Sequence, residues 1–500
     1  MSAKRARNAA SVALAEIPRV PFQELAAELT ASGARLASLF GAQTGEGLEL
    51  YAVIAHDDDA ELGLVRAPLP DRYPALTLAC PEAHWFEREL AEQWGVVPVG
   101  HPFLKPIRFH RSFRPGHDAW GRDPAEPIVP GDADFYRVAG DEVHEVAVGP
   151  VHAGVIEPGH FRLQCHGEQV LHLEISLGYQ HRGVERAALG GPHRLTLAQM
   201  ETIAGDTTVG HTTAYCQALE ALARVAVPPR AQVVRAIGLE LERLANHTGD
   251  LGALAGDVAY QPTAAFCGRL RGDFLNMTAL IAGSRFGRGL IRPGGVGFDL
   301  DDELVSELRR RLDAAERDVR GAAELLFASA GTQARFEETG VVGKATMRSI
   351  GAVGVAARAS GLPRDVRHDH PSGAYRFFQL PVATAERGDV YSRAFVRWLE
   401  MEDSIDFVRD RLDDLPRARP SAPVTELTPS SLVVSLVEGW RGELCHVALT
   451  DERGRLARYK ITDPSFHNWF ALALALRDQE ISDFPLCNKS FNLSYAGHDL

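Results

Sequence analysis

Residues 149–186 read GPVHAGVIEPGHFRLQCHGEQVLHLEISLGYQHRGVER, and they mark where the larger part of the chain begins. The first twelve mix glycines, two prolines, two histidines and Glu157, a turn-rich loop that crowds titratable groups and is either functional or structural. Residues 160–178 then alternate apolar and polar, as a half-buried strand does. Histidines stand at 152, 160, 166, 172 and 181. His166 and His172 are an even number apart, so on one strand they would share a face. A zinc site needs three or four convergent ligands with a fixed second shell, whereas histidines bonded to backbone carbonyls require nothing more.

Downstream of this stretch long helices are expected. Val233, Val234, Ile237, Leu241 and Leu244 form one stripe, and Leu304, Val305, Leu308, Leu312 and Val319 form another, opened by Asp301 and Asp302 at its positive end. A third helix runs from Tyr391 to Leu412, strands return at SLVVSLVEG, ELCHVALT and ARYKIT, and a short helix closes near 466–477. IRPGGVG (291–297) is a tight turn in which Arg292 either clamps a carboxylate or pins the loop. Upstream, 110–142 is rich in Pro, Gly and Asp, a linker composition. Before it, residues 21–40 show helical spacing through Leu25, Leu29 and Leu36, followed by strands and a polar helix at 84–94. The chain therefore divides into a flexible leader (1–20), a small α+β domain (21–109), a linker (110–142) and a large, mainly helical domain with β-rich sections at both ends (143–500). The fold class is α+β.

At 500 residues, two to four domains of ordinary size are expected. Sixty-six acidic against 53 basic residues leave a net charge of −13, and without concentrated Lys and Arg the chain is not expected to bind nucleic acid. The longest apolar run, Trp469 to Leu476, falls far short of the ~20 residues that span a bilayer. No signal peptide is evident. Neither a phosphate loop nor a strand-linked GxGxxG occurs. Six cysteines are dispersed with no CxxC, which suits a reduced, cytoplasmic chain.

Taken in order, GPVH, GYQHRGVE (178–185), ERLANH (242–247), RPGGV (292–296), ARASGLPRDVR (357–367) and DPSFHNW (463–469) resemble the large-subunit superfamily of respiratory complex I and energy-converting nickel–iron hydrogenases. WFERELAEQWGVVPVGHP (85–102) resembles the 30-kDa-type subunit of complex I, here fused to the 49-kDa type. With VHAGVIEPGHFR and NKSFNLSYAGHDL, the chain looks most like the large subunit of hydrogenase-4 and formate hydrogenlyase complexes.

The resemblance implies four cysteines for a nickel–iron centre, because such a centre requires soft thiolates. The first pair belongs to R-x-C-G-x-C-x-x-x-H; Gly205 and His211 fit, but Ala204 and Thr207 stand at the cysteine positions. The second pair falls on Ser494 and Gly497. No metal is therefore expected on this chain. The remaining pocket would be lined by Gly205, Asp206, His211 and Arg292. Complex I chemistry would place a loop histidine, His152 or His160, beside Asp257 as proton donor to a quinone. Its loop pattern GPxHPxxHG is about two residues shorter than the one here, and its Tyr falls on Gly205. Glu157 resembles a hydrogenase loop carboxylate involved in proton transfer. The expectation is a subunit of an NADH-quinone oxidoreductase-like or hydrogenase-4-like complex, peripheral on the inner face of the cell membrane. Its partners would be a small iron–sulfur subunit, which carries the cluster, and antiporter-like membrane subunits. A quinone-reducing cavity and a non-catalytic scaffold or coupling role both remain open.

Overall fold

The computed structural model describes residues 3–31, 34–131, 133–152 and 156–500, and the fold is mixed α+β. Residues 153–155 of the histidine loop and residues 1–2 of the expected leader lie outside the described residues. A four-stranded antiparallel sheet opens the chain, in the order Lys4–Ala6, Glu61–Pro68, Gly47–His56, Arg35–Thr44. A second has the order Leu456–Thr462, Glu443–Thr450, Ser431–Glu438, Ser11–Ala13.

Those orders correct the leader. Lys4–Ala6 pairs with the first sheet and Ser11–Ala13 with the second, so this segment stitches the two halves together. Its pairing partners lie far along the chain, beyond the reach of local pattern reading. The helical spacing over 21–40 is also corrected. The helix is Phe22–Ala31, and Leu36 belongs to the strand Arg35–Thr44, held along its length by Gly47–His56. Cross-strand pairing here outweighs an apparent 3.6-residue period.

The helix His84–Trp94 lies where the spacing puts it, but all eleven residues are buried. Its charges are consumed internally. Glu87 accepts the N–H groups of Leu76 and Thr77 (both 2.8 Å), Glu89 pairs with Lys460 at 2.7 Å, and Glu92 caps Arg108 and Phe109. Arg458 adds Glu185 and Gln93, each at 2.9 Å. This buried polar seam joins the N-terminal sheet to the C-terminal one. Buried charges persist when paired and hydrogen-bonded, as these are.

Among the described residues, no helix or strand lies between Val97–Val99 and Val143–Val148. From there a three-stranded sheet (Val143–Val148, His160–His166, Gln169–Ser176) leads into the helical region. His166 and His172 sit on adjacent strands, with a bulge between Val170 and His172. The single-strand expectation therefore fails, and the two side chains take different partners: His166 bonds Glu142 and His172 packs on Tyr136. The core helices are Pro229–Asp257, Gln261–Ala282, Asp302–Ala328 and Val390–Asp413. Asp301 caps the third, accepting Leu304 N at 2.8 Å. Among the described residues no helix is long and apolar enough to cross a membrane.

Candidate functional site

Two segments far apart in sequence meet at the buried end of the helical region. One is 202–211, running into the helix Thr208–Leu222. The other is 494–499, where Ser494 caps the short helix Tyr495–Asp499 by accepting Gly497 N at 2.8 Å. Arg182 of the GYQHRG loop ties them, donating to Ile203 O (3.0 Å) and Ala496 O (2.9 Å). Ala204, Thr207, Ser494 and Gly497 are all buried at this junction.

The space beside them is filled by Arg441. It projects from the turn 439–442, which closes the hairpin between Ser431–Glu438 and Glu443–Thr450. The turn needs glycine at 442: its φ is +142° and a Cβ there would lie 2.7 Å from Gly354 Cα. Arg441 grips both oxygens of Asp206 (2.6 and 2.7 Å), donates to Thr207 Oγ1 at 3.1 Å and to Asn492 O, and stacks 3.9 Å from the Trp440 ring. The Asp206 backbone carbonyl in turn accepts from Trp440 Nε1 and Asn246 Nδ2, each at 2.9 Å. Asp463 closes the other side. Its carboxylate bonds His211 Nε2 at 3.1 Å, and His211 Nδ1 continues to His446 (3.1 Å), which reaches the Tyr459 hydroxyl (2.9 Å).

Charge sets the protonation pattern. Burial works against charge on Asp206, yet the Arg441 guanidinium holds its carboxyl below the ordinary range. Asp463 is likewise held low, against burial, by His211 and then Arg441. Burial pushes His446 well down, reinforced by His211, so its ring is neutral. Two carboxyls go the other way. Burial raises Glu157, with Arg441 opposing and Asp206 adding to the rise. Burial drives Glu242 up to about 8, although it accepts Val209 N (2.7 Å) and Gly210 N (3.1 Å). The junction thus combines two ionised acids, one guanidinium and two carboxyls that hold protons more readily than usual.

Several expected residues do gather here. Asp206 and His211 belong to the junction, Gly205 sits exposed at its rim, and Glu157 accepts Tyr495 N and Ala496 N, both at 3.2 Å. The others stand apart from it. Asp257, at the end of Pro229–Asp257, forms an ion pair with Lys489; among the described residues no hydrogen bond or ion pair joins it to His152 or His160. The expected His–Asp257 pair is therefore not formed, because a nearer cation claims the carboxylate. His152 bonds Gly159 O at 3.0 Å. His160 bonds Gly149 O and Arg162 Nε, each at 3.2 Å, and burial lowers its pKa. Arg292 lies in the small Ile291–Val296 hairpin, where its carbonyl accepts from Arg235; among the described residues no hydrogen bond or ion pair joins it to Asp206 or His211. Arg441, Asp463, His446, Tyr459 and Glu242 were not singled out from sequence. The GWRGE turn and the first residue of DPSFHNW were the available signals.

The residues do not fit a nickel–iron centre. The four positions where the resemblance implies cysteine ligands, Ala204, Thr207, Ser494 and Gly497, offer a methyl group, two hydroxyls and no side chain, and none of these replaces a thiolate. Arg441 brings a cation to the same place. A Cβ at Gly497 would lie 2.6 Å from Asp463 Oδ2, so a cysteine there would displace that carboxylate. Among the described residues no group of three His, Cys, Asp or Glu is arranged to hold a metal ion.

Comparison with known families matches residues 17–124 to the respiratory-chain NADH dehydrogenase 30 Kd subunit and residues 257–429 to its 49 Kd subunit. Among curated relatives, formate hydrogenlyase subunit 5 of Escherichia coli (strain K12) is 29% identical over 438 residues, covering 85% of this chain and 77% of that protein. The carbon monoxide-induced hydrogenase of Rhodospirillum rubrum is 31% identical over 350 residues, 70% of this chain and 97% of that protein. An NADH-quinone oxidoreductase subunit of Dehalococcoides mccartyi is 31% identical over 330 residues, 65% of this chain and 89% of that protein. With both subunit types matched in order along one polypeptide, the chain belongs to the fused 30-kDa/49-kDa family of complex I subunits, distantly related to the hydrogenase-4 and formate hydrogenlyase large subunits.

Proposed function

We propose that this chain is a peripheral-arm subunit of a membrane-associated oxidoreductase that works without a nickel–iron centre and delivers protons to a two-electron organic acceptor, a quinone. The acceptor would sit against the 149–160 loop. Electrons would come singly from an iron–sulfur cluster in a small partner subunit, because the six cysteines here are dispersed and buried. Antiporter-like membrane subunits complete the assembly, with this chain on the cytoplasmic side.

The observation that carries this reading is the Glu157 carboxyl, half-buried beside Asp206 and Arg441, with its proton affinity raised. Reducing a quinone takes two electrons and two protons, and a donor is most effective when its pKa approaches the working pH. Burial moves Glu157 toward that condition and moves His160, whose ring nitrogens are engaged, away from it. Ile156, next to it in the chain, is 51% exposed, an apolar group suited to a ring or its tail.

The test is quinone reduction by the purified complex. Glu157→Gln is expected to lower turnover by about 10²-fold while Glu157→Asp retains most of it, the scale of a lost general acid. Asp257→Asn should change turnover by less than about threefold, since Asp257 serves Lys489 rather than a histidine. Full turnover in Glu157→Gln would overturn the proton-donor role. A second reading, a coupling scaffold, is favoured by Arg441 filling the junction; it would prevail if Glu157→Gln is neutral while Arg441 variants disrupt assembly.

A further inference from the structure

The helix Thr208–Leu222 has a second functional face. Thr207 and His211 turn toward the junction described above. Thr213, Gln217 and Glu220 follow the opposite side at i, i+4 and i+7 and line a separate cavity of about 750 Å3. Its other walls come from residues 7–10 of the N-terminal segment, from Gln232 and Arg235 of the long helix, and from the 366–376 loop. The size falls within the range of small-molecule sites, and the lining is more polar than such sites usually are.

Most charge on these walls is spent internally. Arg235 grips Glu220 at 2.6 and 2.9 Å, Arg367 is paired with Asp365 and Glu240, and Glu438 is held by Arg358 at 2.7 Å. Arg7 and Arg376 differ. Both are exposed, both line the cavity, and among the described residues neither guanidinium has a carboxylate within ion-pair distance. Asp59 is the counterweight, an exposed carboxylate on the same lining. Hydrogen-bonding capacity is also left over. Among the described residues, the buried Thr213 hydroxyl has no partner, Gln232 uses only its amide nitrogen (to Val227 O, 3.0 Å), and Ser372 donates to Gln217 while its oxygen accepts no bond. His370 bonds Asp57 through Nε2 at 2.9 Å, and among the described residues its Nδ1 has no partner.

We propose that this cavity binds a phosphate monoester carried on a hydroxyl-rich body, of sugar-phosphate to nucleotide size. Two exposed guanidiniums on the lining, unpaired among the described residues, suit a dianion, which would accept charge-assisted bonds from them. The neutral amides and hydroxyls inside suit hydroxyl groups rather than an apolar ligand. Because one helix carries both faces, occupancy of the cavity would order the segment that positions Thr207 and His211. The inference does not depend on the quinone reading.

The experiment is isothermal titration of the full-length chain, and of the assembled complex, with ribose 5-phosphate, AMP, adenosine and inorganic phosphate. One of the two esters should bind with Kd below about 1 mM and adenosine should bind at least about tenfold more weakly, a difference of about 1.4 kcal/mol. Comparing ribose 5-phosphate with AMP tells whether a base is part of the ligand. The double variant Arg7→Gln/Arg376→Gln should weaken binding by at least about tenfold with an unchanged unfolding midpoint, because both side chains are exposed. Thr213→Val, of the same shape, should weaken it by about threefold or more. No ester binding, equal binding by the double variant, or inorganic phosphate binding as tightly as the esters would overturn the proposal. So would binding to the free chain that vanishes in the complex, since that would make the cavity a seat for a partner segment.

Discussion

Arg441→Met removes the guanidinium around which the junction is organised and keeps an unbranched apolar stem over Trp440. The variant loses the two-pronged pair with Asp206, the bond to Thr207 and the bond to Asn492 O. Removing one partner of a fully buried pair costs about 3–5 kcal/mol. Asp206 keeps 31% of its side chain exposed, so solvent screens part of the charge left behind and the expected cost falls to about 2–4 kcal/mol. Asp206→Asn leaves Arg441, only 4% exposed, with Thr207, Asn492 O and the more distant Asp463 and Glu157; about 1–3 kcal/mol is expected. If the two residues act as a pair, the double variant should cost less than the sum, with a coupling of about 1–2 kcal/mol. Urea unfolding followed by tryptophan fluorescence measures all four corners. Arg441→Met within about 0.5 kcal/mol of the parent, or costs that simply add, would refute the claim that this ion pair organises the junction.

Gly497→Ala should destabilise by about 1–3 kcal/mol, because the new methyl meets the Asp463 carboxylate at 2.6 Å; an unchanged unfolding midpoint would mean that the carboxylate swings aside freely. Glu242 carries a sign that can be checked. Its folded pKa of about 8 exceeds the ordinary 4.5, so the folded state binds the proton more tightly and stability falls as pH rises from 4.5 to 8. The full effect is on the order of 5 kcal/mol, and Glu242→Gln should flatten that slope; an equally steep slope in the variant would show that another group titrates. Elemental analysis of the purified complex should find no nickel assignable to this chain, and stoichiometric nickel would contradict the reading of the junction.

The long elements were legible because their signals are local. Asp301 before a stripe of Leu and Val predicts a capped amphipathic helix, and the structure has one at Asp302–Ala328. The helix at 84–94 was legible as a helix but not as buried, since its Glu and Arg residues look like a solvated face until Lys460, Arg458 and Arg108 arrive from elsewhere. The histidines misled for a similar reason. Their density suggested convergence, whereas the strand connection and a bulge send His166 and His172 to different partners.

That Ala, Thr, Ser and Gly stand at 204, 207, 494 and 497 is covalent, and no folding can turn them into thiolates; the sequence alone settles that point. It also settles the family, through motifs kept in order. What fills the space could not be read that way. Arg441 meets Asp206 across 235 positions, Asp463 meets His211 across 252, and Lys489 takes Asp257 across 232. Such pairings depend on how sheets and helices dock, because a buried charge seeks whichever counter-charge the packed fold brings within reach, and chain neighbourhood carries no record of it.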